Sequence, residues 1–176
     1  MAASTVALLL VATGDGKGKT TSALGCALRA AGHGMRVLVV QFLKGGIESG
    51  EQRLLSRHGR DLGIGILTLG GGFVRKVDEA ARRRTSEWLE TAGKAIDDAR
   101  PEFCVLDELC VALNMGLCDR ESAEALIDAA LAYGHVMVTG RGAPEWLTAR
   151  ADTVTVIEDV RHPFREGAEA RPGVEF

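Results

Sequence analysis

The stretch Thr13-Gly14-Asp15-Gly16-Lys17-Gly18-Lys19-Thr20-Thr21 restricts the fold of this chain more than any other. It follows the apolar run Val6 to Ala12 and opens an Ala/Leu-rich segment, Ser22 to Ala31. Strand, glycine loop and helix in that order form the setting of a phosphate-binding loop. Glycines at alternate positions let backbone N–H groups turn inward around an anion. The helix start adds unpaired N–H donors and the positive end of its dipole. Lys19 supplies an ammonium for the outer phosphates, and Thr20 a hydroxyl for a bound Mg²⁺. The usual pattern is G-x-x-x-x-G-K-[ST], whose first glycine would fall at position 13. Position 13 is Thr and the glycine is Gly14, so the loop is one residue shorter than the common form, or differently phased.

Apolar runs alternate with helical patterns along the rest of the chain. The expected strands are Val6–Ala12, Arg36–Phe42, Ile64–Leu69, Phe103–Asp107, Val136–Thr139 and Thr153–Ile157. Several are near-continuous in Val, Leu and Ile, as in strands covered on both faces. The expected helices are Lys19–Ala31, about Gly50–His58, Val77–Ala99, Glu121–Ala132 and Pro144–Arg150. Gly32, Gly34, Gly59 and Gly134 punctuate element ends. Asp119 suits an N-cap, and Pro144 the first turn of a helix. The alternation predicts an α/β fold: one P-loop domain over residues 1–176, RecA-like, with a mostly parallel sheet of about six strands and helices on both faces. Residues 160–176 form a polar tail without periodicity, either a frayed end or a piece of the site.

In such a sheet the ligand sits beyond the carboxyl ends of the strands. That nominates the 13–21 loop, Gln41–Gly46, Gly70–Arg75, Asp107–Glu108, Thr139–Gly142 and the tail after Glu158. Val105-Leu106-Asp107-Glu108 ends a strand in paired carboxylates, the acidic partner a Mg²⁺–phosphate loop requires. Lys44 has two readings, a phosphate contact or a solvated strand-end lysine. Arg141, between Gly140 and Gly142, offers a fork for carboxylate or phosphate. Gly70-Gly71-Gly72-Phe73 reads as a mobile loop that lays Phe73 on a bulky ligand, or as a hinge with Phe73 docked into the core. No Ser-His-Asp set and no metal-binding histidine pair stands out. A site that holds a triphosphate and Mg²⁺ without a nucleophile of its own favours transfer chemistry in which the second substrate attacks.

Net charge is −3, which gives no global attraction to nucleic acid or to anionic membranes. Arg82-Arg83-Arg84, beside Asp78 and Glu79, reads as a solvated helix face. The cysteines, Cys26, Cys104, Cys110 and Cys118, form no C-x-x-C pair and fit no zinc finger, so reduced thiols are expected. Met1 to Ala12 has no positive residue before its apolar run and flows directly into the glycine loop, unlike a signal peptide. No segment reaches the ~18 apolar residues of a membrane span. A cytoplasmic location is the expectation.

Together the segments resemble a known family. Thr13 to Thr21, Ala30-Ala31-Gly32-His33-Gly34, Val40-Gln41-Phe42-Leu43-Lys44-Gly45, Leu106-Asp107-Glu108-Leu109, Val138-Thr139-Gly140-Arg141-Gly142 and the closing His162–Phe176 are similar, in order, to the ATP:corrinoid adenosyltransferases of the CobA/CobO/BtuR type. The shortened loop is itself a mark of that family. The resemblance implies that cobalt(I) of a reduced corrinoid attacks C5′ of ATP and that inorganic triphosphate leaves. It implies that Gly14, Asp15, Gly16, Lys17, Gly18, Lys19, Thr20 and Thr21 cradle the phosphates, with Lys44 and Arg141 as further anion contacts. Thr20 and Glu108 would hold Mg²⁺, with Asp107 in support. Lys19, Glu108 and Phe73 would carry catalysis, Phe73 approaching the lower face of the corrinoid. Family members are dimers and draw electrons from a flavoprotein or reduced flavin. Where many carry Thr-Gly-Phe-Thr-Trp, this chain has Gly71-Gly72-Phe73-Val74-Arg75, which bears on the preferred corrinoid. It also opens almost at the first strand, without the longer N-terminal helix of some members, so the corrinoid would be held more loosely or by a partner subunit. The readings kept beside this one are a RecA-like ATPase or binding module, releasing ADP and phosphate, and a small-metabolite kinase.

Overall fold

The computed structural model describes residues 6–46, 48–71, 76–162, 167 and 169–174. Its strands are β1 (Leu9–Thr13), β2 (Val37–Phe42), β3 (Ile64–Leu69), β4 (Phe103–Asp107), β5 (His135–Thr139) and β6 (Thr153–Val156). They form one sheet in the order β3-β2-β4-β5-β1-β6, and every pairing is parallel. The helices are α1 (Lys19–Gly32), α2 (Gly50–Leu62), α3 (Glu79–Ala99), α4 (Leu109–Asn114), α5 (Arg120–Leu131) and α6 (Glu145–Arg150).

Period-two alternation divides the core between the two faces of the sheet. Val37 and Val39 of β2, Phe103 and Val105 of β4 and Met137 of β5 pack with Ala23, Ala27 and Ala30 of α1 and Leu55 of α2. Leu38, Val40 and Phe42, Cys104 and Leu106, and Val136 and Val138 face the other way, onto Leu89, Ala92 and Ile96 of α3 and Leu126, Ile127 and Ala130 of α5. The alanines of α1 let that helix lie close to the sheet. β2 and β4 are buried along their whole length, which explains their unbroken apolar sequences. The same parity puts Gln41, Asp107 and Thr139 on the α1 side, at the carboxyl ends of three neighbouring strands.

Several element limits differ from the sequence expectation. β1 begins at Leu9, because Val6 is 78% exposed and Leu8 41%. α2 runs on to Leu62 and closes at Gly63 with φ 69°, so Gly59 lies inside the helix. A Cβ on Gly59 would meet the Ile64 carbonyl at 2.3 Å, so glycine there permits close helix–strand packing. Asp119 caps α5 as expected, its carboxylate accepting from Ser122 N–H at 2.8 Å. Asp78 caps α3 in the same way through Ala81 N–H, and the helix starts at Glu79 rather than Val77. Pro144 is the residue before α6, not its first turn. Helix α4 had no signal in the sequence, since six residues are too few to show a period. Arg82, Arg83 and Arg84 are exposed, and Arg82 Nε donates to the Gly116 carbonyl at 3.0 Å. No described helix is long and apolar enough to cross a membrane.

Candidate active site

The loop after β1 is shaped largely by Ile157 and Glu158, the two residues that follow β6. Gly16 N–H donates to the Ile157 carbonyl at 2.8 Å, and Ile157 N–H donates to the Thr13 carbonyl at 2.8 Å. A Cβ on Gly14 would lie 2.4 Å from the Ile157 carbonyl oxygen, and one on Gly16 would lie 2.6 Å from the Glu158 carbonyl carbon. Backbone atoms cannot give way to a side chain at those distances. Gly18 has open space around it but sits at φ 118°, ψ −1°, in the left-handed region that glycine reaches without steric cost. The loop then passes directly into α1 at Lys19. Lys17 N–H donates to Asp159 Oδ1 at 2.9 Å, and Lys17 Nζ donates to the Val174 carbonyl, which brings the tail onto the loop.

Lys19 is buried, and its ammonium donates to the Gly16 carbonyl at 2.5 Å. Burial, then the positive charge of Arg141, pulls its pKa below the ordinary lysine value. Thr20 Oγ1 donates to Asp107, 2.9 Å from Oδ1 and 3.2 Å from Oδ2. Thr139 Oγ1 donates to Asp107 Oδ1 at 2.6 Å and accepts from Glu108 N–H at 3.1 Å. Gln41 Nε2 donates to Asp107 Oδ2 at 3.2 Å, and Lys44 Nζ stands 3.8 Å from the same oxygen. Asp107 is fully buried and is therefore well supplied with donors.

Glu108 has a different environment. It occupies φ 64°, ψ 13°, the left-handed region, where a non-glycine residue is strained. That backbone turns the chain from β4 into α4. The Glu108 carboxylate takes no hydrogen bond from the described residues. Burial, then the Asp107 charge, raises its pKa above the ordinary carboxylate value, while Lys44, Lys19 and Arg141 pull against that shift. Arg141 is exposed and follows Gly140 at φ 134°. A Cβ on Gly140 would meet Cys110 Cβ at 2.9 Å, so glycine lets α4 pack directly beneath this turn.

The structure therefore brings Lys19, Thr20, Lys44, Asp107, Glu108 and Arg141 to one place, with Gly14, Asp15, Gly16, Lys17 and Gly18 along its rim; Thr21 lies exposed on the first turn of α1. Phe73 falls in residues 72–75, outside the described residues. Sequence reasoning nominated the segments holding Gln41 and Thr139 but missed that both side chains hold Asp107, and it missed Gln52 entirely. Polar residues ending apolar strands, at the parity that faces α1, were the available signal for the first two.

The oxygen donors of Thr20, Glu108 and Asp107 suit a hard cation such as Mg²⁺, which binds through one or two carboxylates, water and substrate phosphate. Cys110 borders the site, but burial pushes its thiol up to about 12, and the Cys104 thiol likewise to about 12. Neither is a thiolate nucleophile near neutral pH.

A parallel sheet with a glycine loop leading into α1, opposed by a strand-end acidic pair, defines a P-loop nucleotide-binding protein. The profile of the family described as ATP:corrinoid adenosyltransferase BtuR/CobO/CobP matches residues 5–176, and the chain belongs to that family. It is 40% identical over 172 residues to a corrinoid adenosyltransferase of Pseudomonas aeruginosa, covering 96% of this chain and 83% of the relative. It is 34% identical over 174 residues to the corrinoid adenosyltransferase of Escherichia coli K12, covering 96% and 85%. The corrinoid adenosyltransferase CobA of Salmonella typhimurium stands at the same identity and coverage.

Proposed function

We propose that the site binds Mg·ATP and transfers its 5′-deoxyadenosyl group to cobalt(I) of a reduced corrinoid. The observation that carries the reading is the convergence of Lys19, Thr20, Lys44, Asp107, Glu108 and Arg141 on one glycine loop, in a chain of this family. Cobalt(I) supplies the electron pair that forms the Co–C5′ bond. The C5′–O5′ bond breaks, and its pair leaves on triphosphate. The protein's part is to position the reactants and to neutralise the leaving group. Backbone N–H groups of the loop, with Lys19, Lys44 and Arg141, meet the triphosphate. Thr20 and Glu108 hold Mg²⁺, which screens charge on the phosphates. Asp107 accepts a hydrogen bond from the Thr20 hydroxyl and so turns the Thr20 oxygen lone pairs outward, which makes it a supporting residue. Phe73 is assigned to the lower face of the corrinoid on the resemblance alone. A flavoprotein or reduced flavin as electron donor, a homodimer, a single domain and a cytoplasmic location complete the proposal.

An anaerobic assay with Mg·ATP and chemically reduced cob(I)alamin or cobinamide tests it. The expected result is a light-sensitive cobalt–carbon product with triphosphate released. ADP with phosphate, or ADP with a phosphorylated acceptor, in the absence of adenosylation would replace the transferase with an ATPase or a kinase.

A further inference from the structure

A chain of side-chain amides leads away from Asp107 and ends at the start of α2. Gln41 is completely buried, and it pairs with Asp107 in the β2–β4 register. Its Nε2 donates to Asp107 Oδ2 at 3.2 Å. Its Oε1 accepts from Gln52 Nε2 at 2.8 Å. Gln52 Oε1 in turn accepts from Ser49 N–H at 2.9 Å, at the cap of α2. The second proton of the Gln52 amide points to Thr68 Oγ1 at 3.4 Å.

The direction of this chain is forced. A backbone N–H can only donate, so the Gln52 atom facing Ser49 must be oxygen. The Gln52 NH₂ group must then face Gln41, and the Gln41 atom receiving it must be oxygen. The Gln41 NH₂ group is left to face Asp107, where an ionised carboxylate can only accept. Donor-only and acceptor-only groups at the two ends fix both amide orientations. Reversing either amide would set oxygen against oxygen, at a buried contact for Gln41 and a part-buried one for Gln52, where an unmade polar contact is costly.

We infer that Gln41 and Gln52 act as a one-way amide relay that keeps the Asp107 carboxylate aimed at Thr20, so that the first turn of α2 sets the geometry of the magnesium site. This rests on the magnesium reading proposed above. Both glutamines are positioning residues, since their amides are engaged with Asp107, Ser49, Thr68 and each other. Gln52, on α2, controls through Gln41 a carboxylate at the end of β4.

Gln52→Glu separates a relay from ordinary packing. The replacement is isosteric. At pH 8, where a half-exposed carboxyl is ionised, it presents only acceptors. The Gln41 amide must then reverse to satisfy it, and turns its own oxygen onto Asp107. Gln52→Leu removes the contact without forcing that reversal. The readout is the ratio of ATP dissociation constants measured by calorimetry in EDTA and in Mg²⁺, with thermal melts to confirm folding. Mg²⁺ is expected to tighten ATP binding to the parent. Gln52→Glu should lose about tenfold of that advantage, as expected for spoiling a hydrogen bond to a charged group, and Gln52→Leu should lose less. In a Gln41→Leu background, Gln52→Glu should add no further loss. Equal behaviour of Gln52→Glu and the parent, or a larger loss in Gln52→Leu, would overturn the relay while leaving the magnesium reading in place. A parent that binds ATP equally well with and without Mg²⁺ would overturn both.

Discussion

The glycine loop and the cluster at the ends of β2, β4 and β5 face each other, but they are held in shape by opposite means. The loop is held by its backbone. Gly14 and Gly16 lie so close to Ile157 and Glu158 that a single added carbon has nowhere to go. The cluster is held by side chains. Three donors, from Thr20, Thr139 and Gln41, converge on one buried carboxylate. One region is therefore vulnerable to atoms gained and the other to donors lost. That difference ranks the effects of substitution.

Gly14→Ala should have the largest effect. Its φ of 96° and the 2.4 Å approach to the Ile157 carbonyl leave two obstacles to a methyl group. Loop and β6 must part, with a stability loss of about 2–3 kcal/mol and loss of ATP binding. Gly18→Ala keeps open space and faces only the backbone penalty, about 1–2 kcal/mol. Denaturant unfolding and calorimetric titration of the two variants test the order; equal losses would mean that the packing against β6 is not what fixes the loop. Glu108→Gln comes next and should split activity from stability. A carboxyl whose pKa is raised on folding holds its proton more tightly in the folded state. Stability therefore falls as pH rises from the ordinary carboxylate range through the raised value, and the whole penalty applies above it. Removing the charge should raise the melting temperature at pH 8 by about 2 °C, with the gain fading as pH falls from the raised value toward the ordinary carboxylate range and gone below pH ~4. Adenosyl transfer should drop on the order of 10²-fold. A lower melting temperature at pH 8 would show that Glu108 is stabilised by its cations rather than strained by burial.

Thr139→Val tests the other side of the comparison. The change keeps shape but removes the hydroxyl that donates to Asp107 and accepts from Glu108 N–H. A cost of about 1–3 kcal/mol follows from leaving a buried carboxylate short of a donor. Weaker Mg²⁺ dependence of ATP binding should accompany it. Full retention of that dependence would show that Gln41 and Thr20 suffice to hold Asp107.

These contrasts also mark how far the sequence could be read. The loop, the acidic pair and the strand–helix alternation are local patterns, and they point to a mostly parallel sheet of about six strands, which the structure shows to be six and all parallel, and to most of the residues that gather at its carboxyl end. What escaped was non-local. The glycine spacing points to backbone approaching phosphate, whereas Gly14 and Gly16 are also demanded by Ile157 and Glu158, which follow β6 at the far end of the sequence. That Gln41 and Thr139 both reach Asp107 depends on β4 lying between β2 and β5, an order that no local pattern encodes. Gln52 lies in a polar helical segment whose local pattern gives it no distinction. Only the close approach of α2 to the end of β2 gives it a role.

β6 supplies the smallest and most discriminating effect. All four of its residues are exposed, Val154 at 41% and Val156 at 60%, although it lies beside the strand that carries the loop. A strand that buries so little contributes mainly backbone, and the residues flanking it do the same: Asp152 N–H donates to the Leu9 carbonyl at 2.9 Å, and Ile157 bonds to Thr13 and Gly16 on either side of Gly14. Val154→Thr preserves β-branching and therefore backbone preference, while reducing apolar surface. It should change stability by no more than about 0.5 kcal/mol, the range for an exposed site, and leave ATP binding unchanged. Denaturant unfolding at two protein concentrations checks this. A loss well above that range would show that the outer face of β6 is covered in solution. A loss that depends on protein concentration would identify a second copy of the chain as the cover, and β6 would then support the loop through its side chains as well as through its backbone.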